Sequence, residues 1–222
     1  MKKIIALLLV VFTCLSVLVS CAEDEVDMVG AMYQNSQPTK VVAVTTQTFD
    51  SRKLESKYTL TVGLVDGQSA AIYEGSEDRM RDIESGAGEE IVGPIETVVT
   101  KLWYHEPRGV CDATTTPYKW DKNAASFIPE KGAVALNVSS KNIKDYTYEG
   151  KTLTCTVPQD KTEAVFGEAL SSDASLVIVN DGAVVTYVEI SYTAPADGDN
   201  IPAQTVVIKV EYTYDLETIT FQ

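Results

Sequence analysis

A single histidine, His105, stands among 222 residues, and that scarcity removes most enzyme classes at once. A two-histidine metal site cannot be built, and any Ser-His-Asp or Cys-His arrangement would have to use this one ring. It lies in Trp103-Tyr104-His105-Glu106-Pro107 at the end of a predicted strand, where a hydrogen-bonded structural role is the plainer reading. No serine lies in a nucleophile-elbow context. Gly86-Ala87-Gly88 lacks the downstream lysine and the strand-to-helix setting of a phosphate loop. Basic residues are also few: 18 Lys and Arg face 32 Asp and Glu. So acidic a chain is a poor partner for nucleic acid, whose affinity comes from cations on phosphates. It should not lie flat on an anionic bilayer either. Neither Asp197-Gly198-Asp199-Asn200 nor the cluster around Glu77 follows the twelve-residue calcium loop, and both read as solvated turns. The expectation is a non-catalytic protein with no metal and no cofactor.

Cysteine is scarce too, with four in the chain. Cys14 falls in an apolar run from Ile4 to Val19, preceded by Lys2 and Lys3 and ending Leu18-Val19-Ser20-Cys21. A basic start, an apolar core short for a spanning helix and small residues at the cut site describe a cleaved signal peptide over residues 1–20. Ser20-Cys21 resembles the bacterial lipobox. That resemblance implies that Cys21 takes a diacylglyceryl group on its thiol and becomes the first residue of the mature protein. Two or three acyl chains on one residue anchor stably where one gives only marginal binding. The expected partner at this end is the lipid bilayer. The expected location is the bacterial cell envelope, facing outward from the membrane, on the outer membrane or cell surface in a Gram-negative organism. Ala22-Glu23-Asp24 completes an acidic tether over residues 21–24, and acidic residues behind the cysteine resemble the surface-export signal of Bacteroidetes lipoproteins. Cys111 and Cys155 remain for the folded part, and in an oxidising compartment they are a candidate disulfide.

Residues 25–222 have the length of one domain. Val26, Val29, Met32 and Tyr33 form one stripe of a short predicted helix over 25–33, which Asn35, Ser36 and Pro38 end. The rest is mostly strand. Residues 40–50 and 56–65 alternate with period two and predict a hairpin, ended by Asp66-Gly67. Tyr58, Leu60, Val62 and Leu64 share one face of the second strand. Ala70 to Tyr73 continue the meander, residues 75–93 read as a polar loop, and 97–105 resume as strand. The section from Arg108 to Gly132 is irregular. Val134, Leu136 and Val138 alternate again, Lys151 to Val157 predict a strand, and Asp160-Lys161-Thr162-Glu163 has the spacing of a capping box. Asn180-Asp181-Gly182 predicts a hairpin between 175–179 and 184–192, and 206–214 form a last strand with one wet face. Tyr146, Tyr148, Tyr187, Tyr192, Tyr212 and Tyr214, six of eleven tyrosines, fall on predicted strands, where cross-strand packing accounts for them. Without helical crossovers between strands, a parallel α/β fold is excluded. The predicted class is mainly β (α+β): a single curved antiparallel sheet or half-barrel with an N-terminal helix and one short internal helix. An immunoglobulin-like β-sandwich is the alternative.

The run from Val134 to Gln222 resembles the C-terminal half of small bacterial lipoproteins with a LolA-like fold, that of the periplasmic lipoprotein carrier. The features are the strand Lys151-Thr152-Leu153-Thr154-Cys155-Thr156-Val157, the short helix at Asp160–Leu170, the hairpin over Asn180-Asp181-Gly182 and the terminal 206–214 strand. The resemblance implies a half-barrel whose concave side is covered by helices and can hold apolar ligand. Tyr58, Leu60, Val62 and Leu64 are then the candidate ligand-facing residues. Two functions are expected to compete: binding of an apolar or amphiphilic ligand in the curved sheet, and an envelope structural or adhesive role binding glycan or protein through a sheet face.

Overall fold

The computed structural model describes residues 25–49, 52–80, 95–131, 134–196, 202–215 and 217–221. The predicted signal peptide, Cys21 and its tether, most of the polar loop and the turn at 197–200 lie outside the described residues. Helix α1 covers residues 25–34. A first meander follows: β1 (Lys40–Phe49), β2 (Arg52–Val65), β3 (Gln68–Met80), β4 (Ile95–His105), β5 (Gly109–Asp112) and β6 (Trp120–Asp121). After the one-turn α2 (Ile128–Lys131), a second meander runs through β7 (Lys144–Glu149), β8 (Thr152–Val157), β9 (Ala174–Asn180), β10 (Val185–Ala194) and β11 (Gln204–Thr213). The short α3 (Thr162–Phe166) lies between β8 and β9, and β12 (Glu217–Thr218) is the last of the described strands.

All twelve described strands join one sheet in the order β6-β5-β4-β3-β2-β1-β11-β10-β9-β8-β7, with β12 off the path beside β2. Every pairing on the path is antiparallel. The two meanders meet at a seam where β1 pairs with β11, Lys40 opposite Thr213 and Thr48 opposite Thr205. The chain is thus a single curved antiparallel sheet with an N-terminal helix and short internal helical turns, and not a two-sheet sandwich.

Local chemistry explains the tight turns. Asp66 and Gly67 both take positive φ, 52° and 78°, between the paired Val65 and Gln68. That is the two-residue turn whose twist matches antiparallel strands. At the β9–β10 connection the Asp181 carboxylate accepts from Ala183 N at 2.7 Å and Val184 N at 2.9 Å, while Gly182 supplies φ 106°.

The sheet buries one face under α1. Val26 and Val29 of α1 are fully buried in one cluster with Val41, Leu60, Leu153, Leu176, Ile178 and Val210. A Leu-sized side chain buried this way contributes about 1.5–3 kcal/mol relative to exposure. Residues 134–140 then strap α1 from outside. Gln34 donates to the Asn137 side chain at 2.9 Å, Asp27 accepts from Ser140 N at 2.8 Å, and Tyr33 donates to the Val134 carbonyl. The crossing is so close that a Cβ on Gly30 would lie 2.1 Å from the Val138 carbonyl oxygen.

Three local expectations are corrected. Residues 134–138 alternate in burial but pair with no strand; Leu136 and Val138 are buried in the helix-side core, and Asn137 N bonds Val165 O of α3 at 2.7 Å. The strand β3 runs through Gly75 to Met80, beyond the expected loop start, because residues 75–77 pair with both β2 and β4 and residues 78–80 with β4. Its acidic residues are used there: Asp78 accepts from Glu55 N and from Thr97 Oγ1, at 3.1 and 2.7 Å. The capping box at Asp160 does not form. Pro158 begins a 3₁₀ turn over Gln159–Lys161, Lys161 is the N-cap of α3, and no side chain caps either turn. Thr162 instead donates to Gln159 O and accepts from Leu170 N, at 2.9 and 2.8 Å.

Candidate functional site

The four sequence-nominated residues of β2 share the helix-covered inner face, but their environments differ along the strand. Leu60 is fully buried between Val41 of β1 and Tyr73 of β3, so it is core. Val62 and Tyr58 are half-buried, and Leu64 is 59% exposed where β2 outruns β1. Of the four, Tyr58 lines a hollow. Beyond the reach of α1, a hollow of about 110 Å³ is lined by Tyr58, Tyr73, Gly75, Val98, Thr45 and Ser56 among others. Its floor depends on the missing side chain at Gly75, the cross-strand partner of Tyr58. A Cβ on Gly75 would lie 2.7 Å from the Tyr73 hydroxyl. Without it the Tyr73 ring folds back over Gly75 and rests beside Tyr58, ring centroids 5.6 Å apart. Phe127, ahead of α2, closes the opposite side of Tyr73 at 6.1 Å.

Burial pushes the Tyr58 and Tyr73 phenols above the ordinary tyrosine value; Tyr73 adds to the effect at Tyr58, and the Glu77 carboxylate adds to it at Tyr73. Both stay neutral at physiological pH and can donate or accept. Deeper under α1, Tyr33 and Tyr212 meet edge to face with their hydroxyls 3.0 Å apart. Because Tyr33 gives its proton to Val134 O, Tyr212 is the donor in that pair. The hollow offers an aromatic floor and neutral hydroxyls, which is chemistry for binding.

The outer face carries a second assembly that sequence reasoning missed. Trp103 alternates with the inward Tyr104 and so points outward. It meets Tyr118 at 4.6 Å, Phe221 at 5.7 Å and Trp120 at 6.5 Å between ring centroids. His105 is buried in the same nest, 5.8 Å from Phe221, its Nε2 3.4 Å from the Val65 carbonyl. Arg108 stacks its guanidinium over Trp120 at 5.5 Å. The C-terminal segment holds this nest shut. β12 runs parallel to β2, Glu217 beside Gly63 and Thr218 beside Leu64, on the edge that β1 leaves free. Two polar atoms in the nest, Trp103 Nε1 and His105 Nδ1, have no partner among the described residues. The only sequence signal was period-two alternation around Trp103; the residues that complete the nest are distant in sequence.

Cys111 and Cys155 do not form the candidate disulfide. Both are free and buried, Cys111 on β5 and Cys155 on β8, near opposite ends of the strand order. They also point to different sides: Cys111 pairs with the outward Trp103, Cys155 with the core residue Leu176. A disulfide needs Cα atoms within about 7 Å. Among the described residues no group of three His, Cys, Asp or Glu is placed to hold a metal ion, and no helix is long and apolar enough to cross a membrane.

No protein-family model matches the chain, and no curated protein matches it either. Among solved structures it is similar to a DUF1329 family protein from Desulfovibrio piger, at 10% identity over 89% of this chain and 95% of that one. The TM-score of that likeness is 0.28, too low for any inference about this chain's function or site.

Proposed function

We propose that this protein is a non-catalytic lipoprotein of the bacterial envelope, anchored through acylated Cys21, that binds an amphiphilic ligand on the inner face of its curved sheet. The observation that carries the reading is the Tyr58–Tyr73 hollow, where the side chains of the inner face leave room. Its volume of about 110 Å³ is well under the roughly 300–1,000 Å³ of sites that enclose a whole drug-sized ligand. What enters is one ring or a short alkyl end, and the remainder of the ligand lies outside over Thr45, Ser56 and Glu77. An amphiphile suits that division: an apolar end on the tyrosine floor, a polar body among hydroxyls.

Native mass spectrometry of the Cys21→Ser protein purified from cells tests the binding. A copurified amphiphile is expected, and it should vanish in Val98→Trp, which fills the hollow. A bare native protein, or an adduct indifferent to Val98→Trp, would refute the assignment. The anchor is tested separately: Cys21→Ala should release the protein from membranes into the soluble extracytoplasmic fraction, and unchanged retention would refute it. The rival reading, an adhesive or structural module acting through a sheet face, draws its support from the outer face and its aromatic nest.

A further inference from the structure

Beside the aromatic nest, the outer face holds a cleft of about 300 Å³ whose lining includes Thr61, Ile72, Trp103, Thr218 and Thr220. Its floor is two cross-strand rows. One is Thr61–Ile72–Trp103 across β2, β3 and β4; the other is Thr59–Glu74–Lys101 on the same strands. Its wall is the C-terminal segment, held by the pairing of β12 with β2 and by the buried Ile219.

We propose that this cleft binds an uncharged saccharide unit. Three features select that class. First, the charged groups cancel: Lys101 Nζ lies 2.7 Å from the Glu74 carboxylate, so neither an anion nor a cation is favoured. The pair instead presents a donor and an acceptor side by side, the pattern that vicinal hydroxyls satisfy. Second, three threonine hydroxyls, which both donate and accept, ring the cleft beside the apolar walls of Ile72 and Ile219. That mixture matches a sugar, with hydroxyls at its rim and C–H groups on its faces. Third, Trp103 lines the cleft, is 3% exposed, and its indole N–H has no acceptor among the described residues. A buried donor without a partner costs about 1–3 kcal/mol. The donor is sealed among its ring neighbours Tyr118, Trp120 and Phe221, so a sugar that draws the Trp103 N–H out to one of its hydroxyls on binding relieves that cost. The volume stands at the lower end of small-molecule sites, enough for one or two sugar rings. This site is on the opposite face from the Tyr58–Tyr73 hollow and does not depend on it.

The two tryptophans of the chain are both in the nest, so the indole N–H region of a proton–nitrogen NMR spectrum reports on the cleft directly. Cellobiose, maltose, lactose and N,N′-diacetylchitobiose are titrated into the Cys21→Ser protein. At least one should move the Trp103 indole signal downfield in a saturable way, the signal being assigned through Trp103→Phe. Lys101→Met, which keeps the stem and removes the charge, and Thr61→Val, which keeps the shape and removes the hydroxyl, should each weaken that sugar at least tenfold. Val98→Trp should leave its affinity unchanged. The absence of a saturable shift with all four sugars overturns the proposal, as does a shift that Lys101→Met and Thr61→Val leave intact. Loss of sugar binding in Val98→Trp would place the sugar on the inner face and equally overturn it.

Discussion

Replacing Gly30 by alanine should destabilise this protein, against the ordinary rule for helices. In a helix interior alanine is favoured over glycine by about 1 kcal/mol. Gly30, however, is buried in α1 where the strap crosses, and the added Cβ would lie 2.1 Å from Val138 O and 3.2 Å from Val138 C. The obstacle is backbone, so no side chain can rotate aside. Restoring ordinary contact requires moving the strap by roughly 1 Å. That shift strains the bonds fastening it: Asp27 to Ser140 N at 2.8 Å, Gln34 to Asn137 at 2.9 Å, and Asn137 N to Val165 O at 2.7 Å. Overpacking of this kind costs about 1–3 kcal/mol, and each loosened hydrogen bond about 1 kcal/mol more. Set against the helix-propensity gain of about 1 kcal/mol, the net loss is about 3–5 kcal/mol, or roughly 6–20 °C in Tm for a domain of this size. Urea unfolding of the Cys21→Ser protein reads this as a lower midpoint with unchanged slope. The exposed neighbour Ala31, on the same helix, is the control: Ala31→Gly should cost only about 1 kcal/mol. A midpoint for Gly30→Ala equal to or above the parent would refute the close crossing of helix and strap.

Alkaline pH should unfold the protein through its buried tyrosines. An unfolded tyrosine loses its proton near pH 10, whereas burial raises the Tyr212, Tyr33 and Tyr58 hydroxyls and, with Glu189 beside it, pushes Tyr187 up to about 12. The unfolded chain therefore binds fewer protons than the folded one above pH 10, so the stabilisation is whole below that pH and declines as pH rises past it. Tyr212 alone contributes a slope of up to about 1.4 kcal/mol per pH unit. Tyr212→Phe should flatten the decline, and urea midpoints that stay level from about pH 9 to about pH 11 would refute this. The cysteines give a simpler test: Cys155, its thiol pushed up to about 12 by burial, and the buried Cys111 should ignore a thiol reagent in the native Cys21→Ser protein. Both should react after unfolding without reductant; loss of reactive thiols there would indicate the disulfide.

The parts of this fold that were legible in the sequence are those decided within a few residues. Asp66-Gly67 and Asn180-Asp181-Gly182 announce turns because positive φ is a local demand that few residues meet. The spacing of Val26, Val29, Met32 and Tyr33 announces α1 for the same reason. Alternation proved a weaker sign: Val134, Leu136 and Val138 show it while packing on a helix, since alternate burial needs an apolar surface on one side but no hydrogen-bonded ladder. The polarity of residues 75–80 hid the far half of β3, whose acidic side chains find partners across the sheet that only the register reveals. Of the nominated ligand-facing residues, the common face followed from period two, but the separation of Leu60, sealed in the core, from Tyr58, beside the hollow, depends on where α1 stops. The outer nest was beyond reach because Trp103, Tyr118, Trp120 and Phe221 meet only after the C-terminus has crossed to β2.

The seam between β1 and β11 sets an order of events for a newly made chain. The strand that starts the sheet is completed only by one of the last to emerge, Lys40 waiting for Thr213. Closing a loop of that length costs entropy that local hairpins do not incur. Each meander can form its own turns early, but until the seam zips, the first half presents the open edge of β1 and the second half that of β11. The interval before closure is when the chain is most exposed to proteases and to pairing with a neighbour. A chain truncated before Gln204 would remain in that interval indefinitely, with the middle of its sheet as an unpaired edge.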